Sequence, residues 1–330
     1  MHETWGLDLT NPAADWTPLP DFPGSNNASN VDGAGRQELA SIVVNNEIYA
    51  WGGFNYTAPF AYADGYRLSH AGGVWAWDAL PSLPHAVSSP GITAVGDFIY
   101  SVGGADYDST AFYTETDRNG SVPDLGAKFH QLDTTNLAAG WTALPELSGT
   151  ARWVHATAAV GDQIYVFGGA TGGPPYRSVV DNWRYDPIAD AWERLRDTPV
   201  SVSGYSTGTL VYQNRYVLLL TGYPHATILN PDGTSRPRYG TPSAIDRTGW
   251  KHHGKNPASY ENHAWAYDAH KDLYGTVTFL PFDDHAQTAH IVGDTVYLFP
   301  GETGGFYWEN EYFGHAPEFV LKGKLRVRND

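Results

Sequence analysis

The stretch that decides the reading of this chain begins Ala151-Arg152-Trp153-Val154-His155-Ala156-Thr157-Ala158-Ala159-Val160 and continues Gly161-Asp162-Gln163-Ile164-Tyr165-Val166-Phe167-Gly168-Gly169. After a loop it resumes as Asn182-Trp183-Arg184-Tyr185-Asp186, then Pro187-Ile188-Ala189-Asp190, then Ala191-Trp192-Glu193-Arg194-Leu195. Two apolar runs separated by Gly-Asp predict a tight hairpin, because a glycine in the turn takes the positive φ that other residues avoid. The Tyr-Asp run, its turn and the following Trp predict a second hairpin. Together they make one unit of four short strands.

Working outward, the first half of this unit recurs at about residues 36–53, 87–104, 152–169, 204–222 and 285–301. The fourth copy is degenerate, with Tyr212-Gln213-Asn214-Arg215 at its turn and Thr221-Gly222 in place of the diglycine; the fifth ends in Pro300-Gly301. Second halves lie between them, as in Leu132-Asp133-Thr134 leading to Trp141, and flank the series at Leu7–Leu19 and Glu318–Val327. Repeats at this period signal solenoids or propellers. Where the interval lengthens, the chain carries insertions, at about 106–126 and, longest, about 223–262. The reading is an all-β propeller of four-stranded blades, five or six in number, forming one domain over residues 1–330. Inner strands are rich in Ala, Gly and Val because they crowd around an axis. Outer strands carry Trp and Tyr to pack between neighbouring blades. Ring closure leaves only short strand edges exposed.

Composition narrows the function classes. A net charge of −16 opposes binding to nucleic-acid backbones or anionic membranes, which need basic surface. No apolar run approaches the ~20 residues that span a bilayer. The chain has no cysteine, which excludes disulfides and thiol chemistry and leaves the compartment unassigned. No signal peptide is legible at Met1–Trp5, and a soluble periplasmic or secreted protein is favoured if one has been removed.

The diglycines, the Tyr-Asp pairs and the spaced Trp residues resemble the kelch-repeat β-propellers over nearly the whole chain. Two stretches narrow this to the sialic-acid mutarotases (N-acetylneuraminate epimerases). One runs from Leu7-Asp8-Leu9 through Trp16-Thr17-Pro18-Leu19 and Phe22-Pro23-Gly24 to Arg36. The other is Gly301-Glu302-Thr303-Gly304-Gly305 with the closing segment Phe319–Val327. The resemblance implies six blades, a sugar ligand and a catalytic glutamate just after the fourth inner pair. This sequence departs there, carrying Tyr223-Pro224-His225. It also lacks the opening first-half unit of that family. Either five blades close through the N-terminal hairpin with the C-terminal hairpin added, or a sixth blade is irregular.

In such a ring, the loops entering each first strand and the loops after each diglycine open on one face. Reading those positions gives His285, Glu302, His155 and Tyr223 as catalytic candidates. Arg36, Arg152, Arg177, Tyr56, Tyr107, Tyr205, His225 and Trp308 are the candidates for holding a substrate. Histidine, tyrosine and carboxylate suit proton transfer, and arginine suits a carboxylate or oxyanion. Arg36, Arg152 and His155 fit blade packing equally well. The segment 236–262, with Trp250, His252, His253 and Tyr260, is long enough for a lid. No cofactor is expected; a divalent metal stays open, since His with Asp or Glu from several loops could converge. Three functions fit: a carbohydrate isomerase of mutarotase type, a lyase on an acidic sugar (metal-assisted or not), and a non-catalytic propeller binding a glycan or protein.

Overall fold

The computed structural model describes residues 3–11, 15–23, 36–55, 61–105, 125–171, 177–199, 210–222, 227–229, 234–237, 261–280, 284–285, 288–299, 302–308, 311–315 and 320–327. They form an all-β propeller of five blades. Blade 1 runs Ala40–Val44, Glu47–Trp51, Gly65–Ala71 and Val74–Leu80. Blade 2 runs Gly91–Val95, Phe98–Val102, Phe129–Asp133 and Trp141–Ala143. Blade 3 is Ala156–Val160, Gln163–Phe167, Asn182–Asp186 and Ala191–Leu195. Blade 4 is Leu210–Tyr212, Tyr216–Gly222, Glu261–Asp268 and Leu273–Phe279. Blade 5 shows three strands, Thr288–Val292, Thr295–Phe299 and Leu321–Lys324. Each blade pairs its strands antiparallel in chain order. Among the described residues no helix is long and apolar enough to cross a membrane.

The inner strands pack side by side in the order of the blades, and an apolar cluster fills each of the four seams between them. Between blades 1 and 2 it includes Tyr49, Trp51, Leu83 and Ile99. Between blades 2 and 3 it holds Tyr100, Phe129, Ile164 and Tyr185. Ala156, Tyr165, Phe167 and Tyr267 join blades 3 and 4, and Leu210, Leu218, Ala289 and Leu298 join blades 4 and 5. Burying one such side chain is worth roughly 1.5–3 kcal/mol, so each seam is a substantial joint.

A repeated hydrogen bond fixes the outer rim. Trp77 donates its indole N–H to the Pro20 carbonyl at 2.9 Å, Trp141 to Pro81 at 3.3 Å and Trp192 to Pro145 at 2.9 Å. In every case the acceptor lies in the linker that leads into the blade carrying the tryptophan. This gives the spaced Trp and the Leu-Pro at Leu19-Pro20, Leu80-Pro81 and Leu144-Pro145 one mechanical purpose: the rim of one blade grips the end of the segment before it.

Of the two closures that fit the sequence, the structure shows five blades with the N-terminal hairpin at the closure, and corrects the place of the C-terminal segment. The C-terminal segment Leu321–Lys324 pairs with Thr295–Phe299 inside blade 5, so it is a blade strand rather than an added hairpin. The N-terminal strands Thr4–Gly6 and Thr17–Leu19 form a separate two-stranded sheet. That hairpin bridges blades 5 and 1: Trp16 meets Phe299 edge-on at 6.2 Å, while Phe22 meets Tyr66 and Trp77 at 5.2 and 5.1 Å.

Described parts of the segments after the diglycines form small sheets. Ala170–Thr171 and Arg177–Val179 from blade 3 join Thr227–Leu229 and Ser235–Pro237 from the blade 4 insertion, with a parallel pairing of Arg177–Val179 to Thr227–Leu229. Around blade 5, Asp284–His285, Glu302–Trp308 and Glu311–His315 make a three-stranded sheet. Of the stretch read as a possible lid, residues 238–260, with Trp250, His252, His253 and Tyr260, lie outside the described residues.

Candidate functional site

The face bearing the entering loops is built by a motif that repeats in blades 1, 2 and 3. One residue of each entering loop makes a two-way backbone bridge to the residue after the diglycine: Gln37 with Phe54, Ser88 with Ala105, Trp153 with Ala170. The next residue then adopts a left-handed backbone, Glu38 at φ 53°, Ser89 at 49° and Val154 at 46°. None of the three is glycine, and for a β-branched valine this region is a true outlier. Such conformations cost on the order of 1–3 kcal/mol each and persist where the surroundings over-determine them. Here the bridge on one side and the first strand on the other supply that constraint.

Glu38 is the polar centre of this rim. Its carboxylate accepts the hydroxyl of Ser88 at 2.9 Å and that of Ser89, tying blade 2 to blade 1. Both serines are buried. Beside them Phe54, Ala105, Trp153, Val154 and Ala170 form an apolar floor across three blades.

Two of the three arginines expected to hold a substrate, Arg152 and Arg36, are engaged by the protein itself. Arg152 is fully buried and donates to Thr150 O at 2.8 Å, Gly168 O at 3.1 Å, Asp181 O at 2.7 Å and Asp181 Oδ2 at 2.7 Å. Its guanidinium offers no face to a ligand, and the packing reading holds for it. Arg36 repeats the arrangement, reaching Gly52 O at 3.2 Å and Asp64 Oδ2 at 2.7 Å, with Tyr62 stacked 3.7 Å from its guanidinium carbon. The carboxylate partners, Asp64 and Asp181, escaped the sequence reading. Their signal is short: each stands two residues before an aromatic of the third strand, Tyr66 and Trp183, which donate to the same carboxylates.

His155 does not reach the mouth. It is 1 % exposed, with both ring nitrogens sealed from solvent. Two glycines of blade 2 press on it: a Cβ on Gly91 would stand 2.4 Å from its Nε2, and one on Gly103 would stand 2.8 Å from its Cε1. Burial, then the charge of Arg152, push its pKa down to about 3, with the Val102 backbone opposing weakly. A catalytic role for this residue fails on access, since a group sealed between blades cannot exchange protons with a substrate at the mouth.

The sealed imidazole has a consequence for stability. Unfolded, it binds a proton below pH ~6.5; folded, it does so only near 3. Between those values the unfolded state holds more protons, so stability falls as pH falls through that window, by up to about 1.4 kcal/mol per unit. We expect urea midpoints measured from pH 7 to pH 4 to fall more steeply for the native protein than for His155→Asn. Parallel profiles would show that the imidazole is already protonated in the fold.

His285 and Glu302, predicted to flank one blade's open face, are direct register partners in the antiparallel pair Asp284–His285 with Glu302–Trp308. The strand Asp284–His285 also packs beside Tyr216–Gly222 and Glu261–Asp268 of blade 4. A histidine and a glutamate are therefore adjacent in register at the junction of blades 4 and 5. Trp308 ends the Glu302–Trp308 strand, opposite Glu311. Arg177 starts its strand in the small sheet over blades 3 and 4, half-buried and in register with Thr227. His290 is exposed on the innermost strand of blade 5, with Phe299 edge-on at 6.4 Å. It is thus no part of the core, although its neighbours crowd it enough to lower its pKa. Tyr56, Tyr107, Tyr205, Tyr223 and His225 lie outside the described residues. Among the described residues no three His, Asp or Glu lie together as a metal-holding group.

Comparison with known proteins places the similarity in the middle of the chain. The sequence model of the N-acetylneuraminate epimerase family matches residues 120–230, from the second half of blade 2 to the start of blade 4. That segment contains the regular unit Ala151–Leu195 and lies between the two terminal stretches that suggest the same family. The N-acetylneuraminate epimerase of Vibrio cholerae is 34 % identical over 107 residues, 31 % of this chain and 27 % of that protein. The one from Yersinia enterocolitica is 30 % identical over 102 residues, 29 % and 26 % of the two chains. The one from Vibrio vulnificus is 25 % identical over 206 residues, 56 % and 53 %. The matches thus span about a quarter to a half of those relatives. This chain resembles the mutarotase-type propellers.

Proposed function

We propose that this chain is a sugar-binding propeller that catalyses anomeric exchange, with His285 and Glu302 as the acid–base pair and a sugar acid as the class of ligand. What supports the reading most directly is the register of those two residues at the blade 4–blade 5 junction, joined to the resemblance to N-acetylneuraminate epimerases. In mutarotation one group takes the proton of the anomeric hydroxyl while another protonates the ring oxygen. The ring C–O bond breaks and the carbonyl form appears. On reclosure from the other face the two groups exchange roles, so no proton is gained or lost overall. A histidine and a carboxylate paired in strand register are suited to this, each able to hold the proton that the other releases. Arg177, Tyr223, His225 and Trp308 complete the proposed binding set, from the segments that follow the third, fourth and fifth inner pairs.

The test is direct. Exchange spectroscopy on N-acetylneuraminate and a panel of neutral hexoses should show anomeric interconversion accelerated in proportion to enzyme concentration, for the sugar acid first. An exchange rate equal to the buffer rate across the panel would overturn the catalytic reading.

A further inference from the structure

Blades 1 and 3 fill one position of the ring in the same way, and blade 2 does not. Strand registers align Tyr66, His130 and Trp183 across the three blades, each opposite the same position of the second strand. The residues two before these are Asp64, Lys128 and Asp181, and the residues entering from the linker are Arg36, Val87 and Arg152. The arginine–aspartate clamp of blades 1 and 3 is thus replaced in blade 2 by a valine and a lysine. The truncation leaves space. A shallow cleft, open to solvent on one side, is lined there by Val87, Ser101, Gly103, Lys128, His130 and His85.

The replacement also inverts the charge. Where the other blades hold a carboxylate, this one holds an ammonium group, and two imidazoles stand beside it with ring centroids 5.9 Å apart. His130 is buried, whereas His85 is exposed at the rim. Lys128 meets Glu146 at 2.5 Å, the lysine partly and the glutamate mostly in solvent, so this carboxylate sits on the outer edge of the cleft. Such exposed pairs contribute little and are readily shared. We propose that the cleft binds a small carboxylate anion, whose oxygens take the place of the missing Asp carboxylate between His130, His85 and Lys128. Taking the place of Glu146 on Lys128 and accepting from the two imidazoles, a monoanion is balanced where a phosphate dianion would not be. The site lies apart from the His285–Glu302 pair and does not depend on the sugar reading.

Burial lowers the pKa of His130, and His85 and Lys128 lower it further. A bound anion opposes all three effects. The test is an NMR titration of the His130 ring against pH with sodium acetate, and separately with sodium glucuronate, each matched to sodium chloride at equal ionic strength. We expect a saturable rise of the midpoint by about one unit, from acetate if the ligand is a free small acid and from glucuronate if it is a sugar acid. The paired substitution Val87→Arg with Lys128→Asp rebuilds the clamp already present in blades 1 and 3, so it should fold and lose the response. A midpoint that moves no more than with chloride would overturn the proposal, and so would an equal response in the rebuilt protein.

Discussion

Arg152→Ala is expected to destabilise the protein by about 3–5 kcal/mol, the range for breaking a buried ion pair by removing one partner. The mechanism is specific. Asp181 is left as a buried carboxylate, and the carbonyls of Thr150 and Gly168 lose their donor in the same step. Removing both charges, with Arg152→Met and Asp181→Asn together, should recover a good part of the loss, because the cost lies in the orphaned charge. Arg36→Ala should cost clearly less, since Asp64 is 35 % exposed and can turn to water. Denaturant midpoints at constant slope measure all three. Equal losses for Arg36→Ala and Arg152→Ala would contradict the distinction drawn from burial.

Glu302→Gln should lower the rate of anomeric exchange by about 10²–10⁴-fold, the span that a positioned acid or base contributes, with little change in substrate affinity. The amide keeps the shape and loses the proton chemistry. His285→Gln should do the same, and the double substitution should lose little more than either single one, because the two act as one proton-transfer unit. Single-turnover exchange at saturating N-acetylneuraminate separates rate from binding. An exchange rate within a few-fold of the native protein for both variants would remove the pair from the chemistry. A raised KM with unchanged kcat would move them to substrate binding.

The fold was legible because a repeat writes the same local physics several times. The turn glycines, the diglycines and the Trp spacing each recur, and the run from Trp77 to Pro81 in one unit explains its counterparts in the others. Pairings between segments far apart were not legible. Nothing in Arg177 or Thr227 announces that they pair in parallel across two blades, and nothing in Leu321–Lys324 excludes a hairpin of its own. Sequence could also identify residue types but not their access to solvent. Arg152 and His155 carry functional side chains at mouth positions, yet the glycines around them let the neighbouring blade close over both. Glu38, Ser89 and Val154 hide their unusual backbone because glycine, its usual marker, is absent there. His285 and Glu302 were identifiable as flanking one blade, but their direct pairing depends on a strand register that only the structure supplies.

The N-terminal hairpin that bridges blades 5 and 1 bears on the order of assembly. Each of the other seams joins segments that follow one another in the chain, so those contacts form at small sequence separation. The bridge of Trp16 to Phe299 closes nearly the whole chain on itself. Closure entropy grows only with the logarithm of loop length, yet contacts of such separation slow folding because their cost precedes their reward. The blades can therefore condense one upon the next as an open strip, and the circle is completed last, by residues that precede every blade in the chain.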